Sequence, residues 1–316
     1  MTTTATAFFT HPIYLKHDMK YGHPECPERL QAIQEQLVVT DTFAYLQVHE
    51  TSTLATDEQI MRVHAEEYVN EIKSAAPQQG LVRLDNDTTM NPFTLEAAYY
   101  AAGAVIQATD LVISQQATNA FCAVRPPGHH ATRNQAMGFC FFNNVAIGAA
   151  HALAQHRLER VAILDFDVHH GNGTEDIFQN ETRVLFCSTF QHPFYPYSGA
   201  DSSNDHIVNV PLAAHTDGAT FRAAVTQYWL PALEAFQPEM IFISAGFDAH
   251  REDILAKLNL VEADYVWITN QIMTIAEKYA QNRIVSVLEG GYALGALGRS
   301  VTAHIRTLCG LPVTAQ

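Results

Sequence analysis

The 316-residue sequence predicts one α/β domain with a mainly parallel sheet flanked by helices, and three observations lead there. Short apolar runs alternate with helical patterns along most of the chain, as in successive βαβ units. Several of these runs are apolar at nearly every position, as strands buried on both faces of a parallel sheet are. No repeat, low-complexity linker or composition shift divides the chain, so residues 1–316 are read as a single domain.

Taken in order, a strand is expected over residues 5–9, then the loop HPIYLKHDMKYGHPECPER, then a helix over 27–37. Residues 41–79 read as a strand and one or two short helices, with His64 as a surface or half-buried helical residue. LVRLDNDTTMN is a polar loop. An Ala-rich helix spans 94–116, where Tyr99 and Tyr100 are packing residues. The strand NAFCAV leads into RPPGHH, and 143–155 is helical. The central strand lies in RVAILDFDVHHGNG, whose glycines open a loop. Further strands are RVLFCST, MIFISA and RIVSVL, separated by helical patterns over 218–235, 262–279 and 294–308.

Eighteen basic against 33 acidic residues give a formal charge of −15, which argues against binding to nucleic acid. No apolar run is long enough to span a bilayer, and MTTTATAFFT has neither a basic start nor a long apolar core, so no secretory leader is expected. Five scattered cysteines without close pairing point away from a disulfide framework and toward a cytoplasmic location.

The chemistry gathers where strands end. In an open parallel sheet ligands bind at the carboxyl edge, and four strand ends carry polar groups there. NAFCAV is followed by His129 and His130, VAIL by Asp165, Asp167 and His169, MIFISAG by Asp248, and RIVSVL by Glu289, Gly290, Gly291 and Tyr292. Alternate residues of an extended chain point the same way, so Asp165, Asp167 and His169 share one face. Asp167, His169 and Asp248 suit a metal with one position open to water, as in a catalytic zinc site. Zinc lowers the pKa of its water to about 7. His129 and His130 are candidate base and acid, with Asp165 orienting one and Asn172 the other; a carboxylate favours imidazolium and an amide does not. Tyr292 beside two glycines is placed to meet a developing oxyanion.

Together RPPGHH, GFCFFNN, DFDVHHGNG, SAGFDAH and LEGGY resemble the zinc-dependent histone deacetylase family, which includes bacterial deacetylases and acetylpolyamine amidohydrolases. HHGNG and LEGGY look more like its class II branch. The resemblance runs from His23 through Tyr292. It implies the arginase-deacetylase fold with an eight-stranded sheet, zinc on Asp167, His169 and Asp248, His129 paired with Asp165, and His130 with Asn172. Which histidine is base and which is acid stays open. Tyr292 matches the tyrosine that polarises the acyl carbonyl. Gly138 and Phe139 match one side of the acyl-lysine tunnel, with Tyr195 in place of the usual Phe on the other and Gly291 nearby. His23, Pro24 and Asp87 match the rim. Arg29 matches the arginine near the proposed acetate path. Asp165, Asp167, His169, Ser188 and Thr189 resemble a structural potassium site.

The rim segment usually written DPL reads Asp253-Ile254-Leu255, and polyamine-selective relatives often carry Glu where Leu255 stands. The resemblance therefore favours a hydrolase that removes acetyl or other acyl groups from lysine side chains. An amidohydrolase of acetylpolyamines or other small acylated amines comes second, and a catalytically weak acyl-lysine reader third. An arginase-like dimanganese hydrolase ranks last, since it needs more aspartates. The N/O donor set leaves zinc against ferrous iron open. The oligomeric state is not legible.

Overall fold

A computed structural model describes residues 5–202 and 204–313. Residues 1–4, the start of MTTTATAFFT, lie outside that range.

The strands are β1 (Thr6–Thr10), β2 (Leu46–Glu50), β3 (Val82–Arg83), β4 (Thr89–Met90), β5 (Asn119–Cys122), β6 (Val161–Asp165), β7 (Val184–Gln191), β8 (Ile207–Leu212), β9 (Met240–Ala245) and β10 (Ile284–Leu288). Eight of them form one sheet in the order β2-β1-β5-β10-β9-β6-β7-β8, and every pairing in it is parallel. β3 and β4 make a separate antiparallel pair. The strands β5, β6, β7, β9 and β10 are buried along their whole length, whereas the edge strands β2 and β8 are partly open. That gradient explains why the inner runs are apolar at nearly every position.

The helices are α1 (Glu28–Val39), α2 (Asp57–Ile60), α3 (Glu66–Ala75), α4 (Thr94–Ile113), α5 (Asn144–Gln155), α6 (Asn172–Phe178), α7 (Gly218–Ala224), α8 (Leu230–Phe236), α9 (Glu262–Tyr279) and α10 (Leu294–Leu308). Among them α10 packs with α1 and α9, and α4 packs with α5. Asn143 caps α5 by accepting from the Ala146 N–H at 3.1 Å.

Four details depart from the sequence reading. The eighth strand, β8, was not read from its own residues, because Pro211 interrupts it; proline is tolerated there since β8 is an edge. Asn172 begins α6, where only a glycine loop was expected. The helix expected over 218–235 opens into a π turn at Val225–Trp229, just before Pro231, which supplies no N–H to close an ordinary turn. His64 lies between α2 and α3, not in a helix, and is fully buried; it bonds the Thr132 carbonyl at 2.9 Å through Nδ1 and the Asn143 N–H at 2.9 Å through Nε2. All five cysteines are free thiols, and no helix among the described residues is long and apolar enough to cross a membrane.

The strand order places the site. The chain passes from β5 to β6 across a gap that β9 and β10 later fill, so β5, β10, β9 and β6 end side by side. These are the four strands whose ends carry the polar groups.

Candidate active site and metal centre

Asp167, His169 and Asp248 meet where β6 and β9 end, each offering a ligand atom within 4.8 Å of the others. His169 Nδ1 lies 3.0 Å from Asp167 Oδ1 and 3.2 Å from Asp248 Oδ2. The outer oxygens are committed to the backbone. Asp167 Oδ2 accepts from the Gly290 N–H at 2.8 Å, and Asp248 Oδ1 from the Val168 N–H at 2.9 Å. Apart from the His169 ring 3.2 Å away, Asp248 Oδ2 is buried without a hydrogen-bond partner. A buried carboxylate oxygen left over beside a second carboxylate and an imidazole is a cradle for a cation. Burial and the Asp167 charge push the Asp248 carboxyl up to about 6, and burial of His169 is outweighed by the two carboxylates, which raise it to about 10. The centre thus draws in positive charge. Glycines make the approach possible: a Cβ at Gly246 would lie 2.0 Å from Asp167 Oδ2, and one at Gly290 2.1 Å from Asp248 Oδ2.

A second group, Asp110 with His151 and His156, is a hydrogen-bonded cluster instead. The Arg62 guanidinium, a donor only, lies 3.1 Å from His151 Nδ1, so His151 carries its proton on Nε2 and donates it to Asp110 at 2.8 Å. That leaves His151 without a free ring nitrogen for a metal.

His129 and His130 sit beside the first centre with ring centroids 4.0 Å apart. His129 Nδ1 meets Asp165 Oδ2 at 2.9 Å, and His130 Nδ1 meets Asn172 Oδ1 at 2.7 Å. Both acceptors fix the proton on Nδ1 and leave Nε2 for the site. The two rings differ in charge as their partners require. Burial would depress His129, but Asp165 and Asp167 raise it to about 10; burial and the charges of His129 and His169 hold His130 well below the ordinary imidazole range.

The apolar wall is built from several loops. Phe139, in the left-handed region at φ 70°, meets the His23 ring edge-on at 4.7 Å and the Tyr292 ring at 5.9 Å. Gly138 is required beside it, because its φ is +57° and a Cβ would lie 2.4 Å from the His130 ring. Asp87 accepts from the Gly138 N–H at 3.2 Å. Tyr195 stands edge-on to His130 at 5.3 Å and to His169 at 6.0 Å, its hydroxyl buried without a partner.

A model of the histone deacetylase domain matches residues 23–308. The chain belongs to the histone deacetylase family. It is 39% identical over 279 residues to the histone deacetylase-like amidohydrolase of Pseudomonas aeruginosa, covering 86% of this chain and 73% of that one. It is 36% identical over 318 residues to a probable deacetylase of Archaeoglobus fulgidus, covering 98% and 88%. The crystal structure of the HDA15 HD domain superposes with a TM-score of 0.92 at 34% identity, over 98% of this chain and 90% of that one. The protein is therefore a hydrolase of the amide-cleaving kind.

Within this histone deacetylase domain, Arg29 is fully buried behind Tyr292, with its guanidinium carbon 5.0 Å from the ring centroid. It donates to the carbonyls of Gly291 at 2.7 Å and Glu289 at 2.5 Å. Ser188 pairs with Asp165 in the β6–β7 register, and its hydroxyl is buried without a partner; Thr189 follows it on β7. Pro24 sits beside His23, and Leu255 beside Asp253; the described hydrogen bonds and ring contacts of the centre do not reach their side chains.

The sequence reading assigned no role to several residues that hold the site together. Glu289 accepts from the N–H groups of Gly128 at 2.7 Å and His129 at 3.1 Å, and burial pushes its carboxyl up to about 7. Phe194 stacks on His169 at 5.6 Å. Glu25 binds Arg29 and Arg125 in a buried cluster. Glu289 did stand among the polar strand ends, and Glu25 lies inside the loop HPIYLKHDMKYGHPECPER; nothing local says where either side chain points.

Proposed function

We propose that this chain hydrolyses the amide of acyl-lysine side chains, most simply acetyl-lysine, at a zinc ion held by Asp167, His169 and Asp248. The observation that carries the reading is the meeting of that triad, with its unpartnered buried oxygen on Asp248, and two histidines whose Nε2 atoms are both left for the site. Zinc bound there supplies Lewis acidity to the acyl carbonyl and to the attacking water.

The residues of the chain do the rest. One ring of the His129–His130 pair takes a proton from water as its oxygen bonds to the acyl carbon, and the pair returns a proton to the amine nitrogen as the C–N bond breaks. The products are a carboxylate and a free amine. Asp165 and Asn172 hold the rings and separate their charges. The Tyr292 hydroxyl donates to the oxygen that becomes anionic, and burial, despite the nearby Arg29 charge, keeps the phenol protonated for that purpose. Phe139 and Tyr195 flank the alkyl stem, Gly138 and Gly291 let backbone pass close to it, and His23, Pro24, Asp87 and Leu255 form the mouth. Arg29 lines the route by which the carboxylate leaves. A potassium ion among Asp165, Asp167, His169, Ser188 and Thr189 would satisfy the orphaned Ser188 hydroxyl and lower the cost of gathering carboxylates.

Zinc-loaded protein is given an acetyl-lysine peptide and N-acetylputrescine side by side, with Tyr292→Phe as control. The expected result is peptide turnover that falls about 10²–10³-fold in the variant, the usual loss when an oxyanion donor is removed. Selective turnover of the acetylated diamine would assign the chain to small acylated amines. Metal binding without turnover of either substrate, or of longer acyl-lysines, would leave it a reader.

A further inference from the structure

We propose that Asp253 is a positioning residue for Tyr292, acting across the fold as the helix cap that α10 does not supply for itself. Only the chemical task given to the phenol rests on the function proposed above; its placement does not.

Tyr292 follows two glycines, and Gly291 has φ +121°, a region that leaves the chain much freedom. α10 begins at Leu294 after Ala293, which has no side chain able to cap it. The Ala293 N–H, first of the amides the helix leaves unsatisfied, and the Tyr292 N–H before it find their acceptor elsewhere. Asp253 Oδ2 accepts from the Tyr292 N–H at 2.6 Å and from the Ala293 N–H at 3.1 Å. The carboxylate is itself held in place. Its Oδ1 accepts from the Leu255 N–H at 3.0 Å, and the Asp253 N–H donates to the His250 carbonyl at 2.8 Å. Asp253 is 6% exposed, while its neighbour Ile254 is 88% exposed, so the residue ties a surface loop to the interior.

The other restraints on this segment stop short of the tyrosine amide. Arg29 holds the carbonyls of Glu289 and Gly291, and Asp167 holds the Gly290 N–H. Beyond Gly291 the backbone of Tyr292 is fixed by Asp253. A carboxylate at a helix start also meets the positive end of the helix dipole. Since Asp248 lies five positions before Asp253, one short segment sets both a corner of the metal centre and the phenol facing it.

With acetyl-lysine peptide and zinc-loaded protein, Asp253→Ala is expected to lower kcat about 10²-fold, the cost of misplacing a group by about 1 Å. KM and zinc content should change less than about threefold, and Asp253→Asn, which keeps an acceptor oxygen, should restore most of the loss. In a Tyr292→Phe background Asp253→Ala should cost less than about twofold, because residues acting through one another are not additive. Equal losses in both backgrounds would overturn the proposal. A second arm needs no turnover: 3-fluorotyrosine at position 292 should give one narrow fluorine resonance in the parent and a broadened or split one in Asp253→Ala. An unchanged resonance would overturn the proposal even in a protein that hydrolyses nothing, and absence of turnover in the parent counts against the function alone. Hydrogen exchange of the unsubstituted protein covers the case in which Asp253→Ala does not fold. The amides of Tyr292 and Ala293 should be slow to exchange, and unprotected amides there would refute the cap.

Discussion

Glu25 has no exposed side-chain surface, nor do Arg29, Arg125 and His17 around it. It bonds Arg29 Nη1 at 3.1 Å and Arg125 through Nε and Nη2, the latter at 2.8 Å. Burial would raise its carboxyl, but Arg125 and His17 hold it well below the usual range. Removing its charge strands two guanidinium groups in the interior, so Glu25→Gln should destabilise the fold by about 3–5 kcal/mol. A urea denaturation midpoint reads this directly, and a loss under about 1 kcal/mol would contradict it. The sequence made the site's front legible, because Asp165, Asp167 and His169 alternate on a strand and the tandem histidines follow another. The back was not legible. Glu25 reaches Arg125, 100 positions away, and Glu289 reaches the Gly128 amide 161 positions earlier; such pairs exist only once the sheet has brought its strand ends together.

At the scale of elements, what the sequence conveyed depended on burial. The inner strands and the long helices α9 and α10 announced themselves, because apolar periodicity is strongest where a face is fully covered. The edge strand β8 did not, since half-exposed pairing tolerates Pro211 and polar residues. The start of α6 was hidden because Gly171 and Gly173 look like a loop, yet both glycines answer to crowding. A Cβ at Gly171 would lie 2.2 Å from Asp165 Oδ2, and one at Gly173 2.3 Å from the Ala131 carbonyl. The segment that holds His130's partner is thus shaped by the active site and not by local propensity. The rim segment gives the same lesson. Its departure from DPL falls on the proline, while Asp253, which stays, is the residue that bonds the amides of Tyr292 and Ala293.

Across the whole molecule, two histidines outside the site link stability to pH. His64 and His304 are fully buried; His304 sits between the Thr269 hydroxyl at 2.7 Å and the Ser286 hydroxyl at 2.9 Å. Burial lowers His64 to about 4 and His304 to about 3. An unfolded histidine titrates near ~6.5, so between that pH and the folded values the unfolded chain binds more protons and stability rises with pH. Their contribution is fully present above about pH 6.5 and is lost as pH falls toward 4 and then 3. Urea unfolding followed from pH 7.5 to 4.5 should show a loss on the order of several kcal/mol, smaller in His304→Gln than in the parent. Equal slopes in the two proteins would contradict this assignment.

Amide hydrolysis at a metal held by Asp167, His169 and Asp248 is read out by acetyl-lysine peptide turnover with chelator-stripped protein, the same protein titrated with zinc, and Asp248→Asn. No turnover is expected after stripping, with recovery on titration that saturates at about one zinc per chain. Asp248→Asn is expected to bind zinc more than about 100-fold more weakly, beyond the 10–100-fold effect of residues that only support a ligand. Turnover that survives chelation, or full zinc affinity in Asp248→Asn, would contradict hydrolysis at a metal held by these residues.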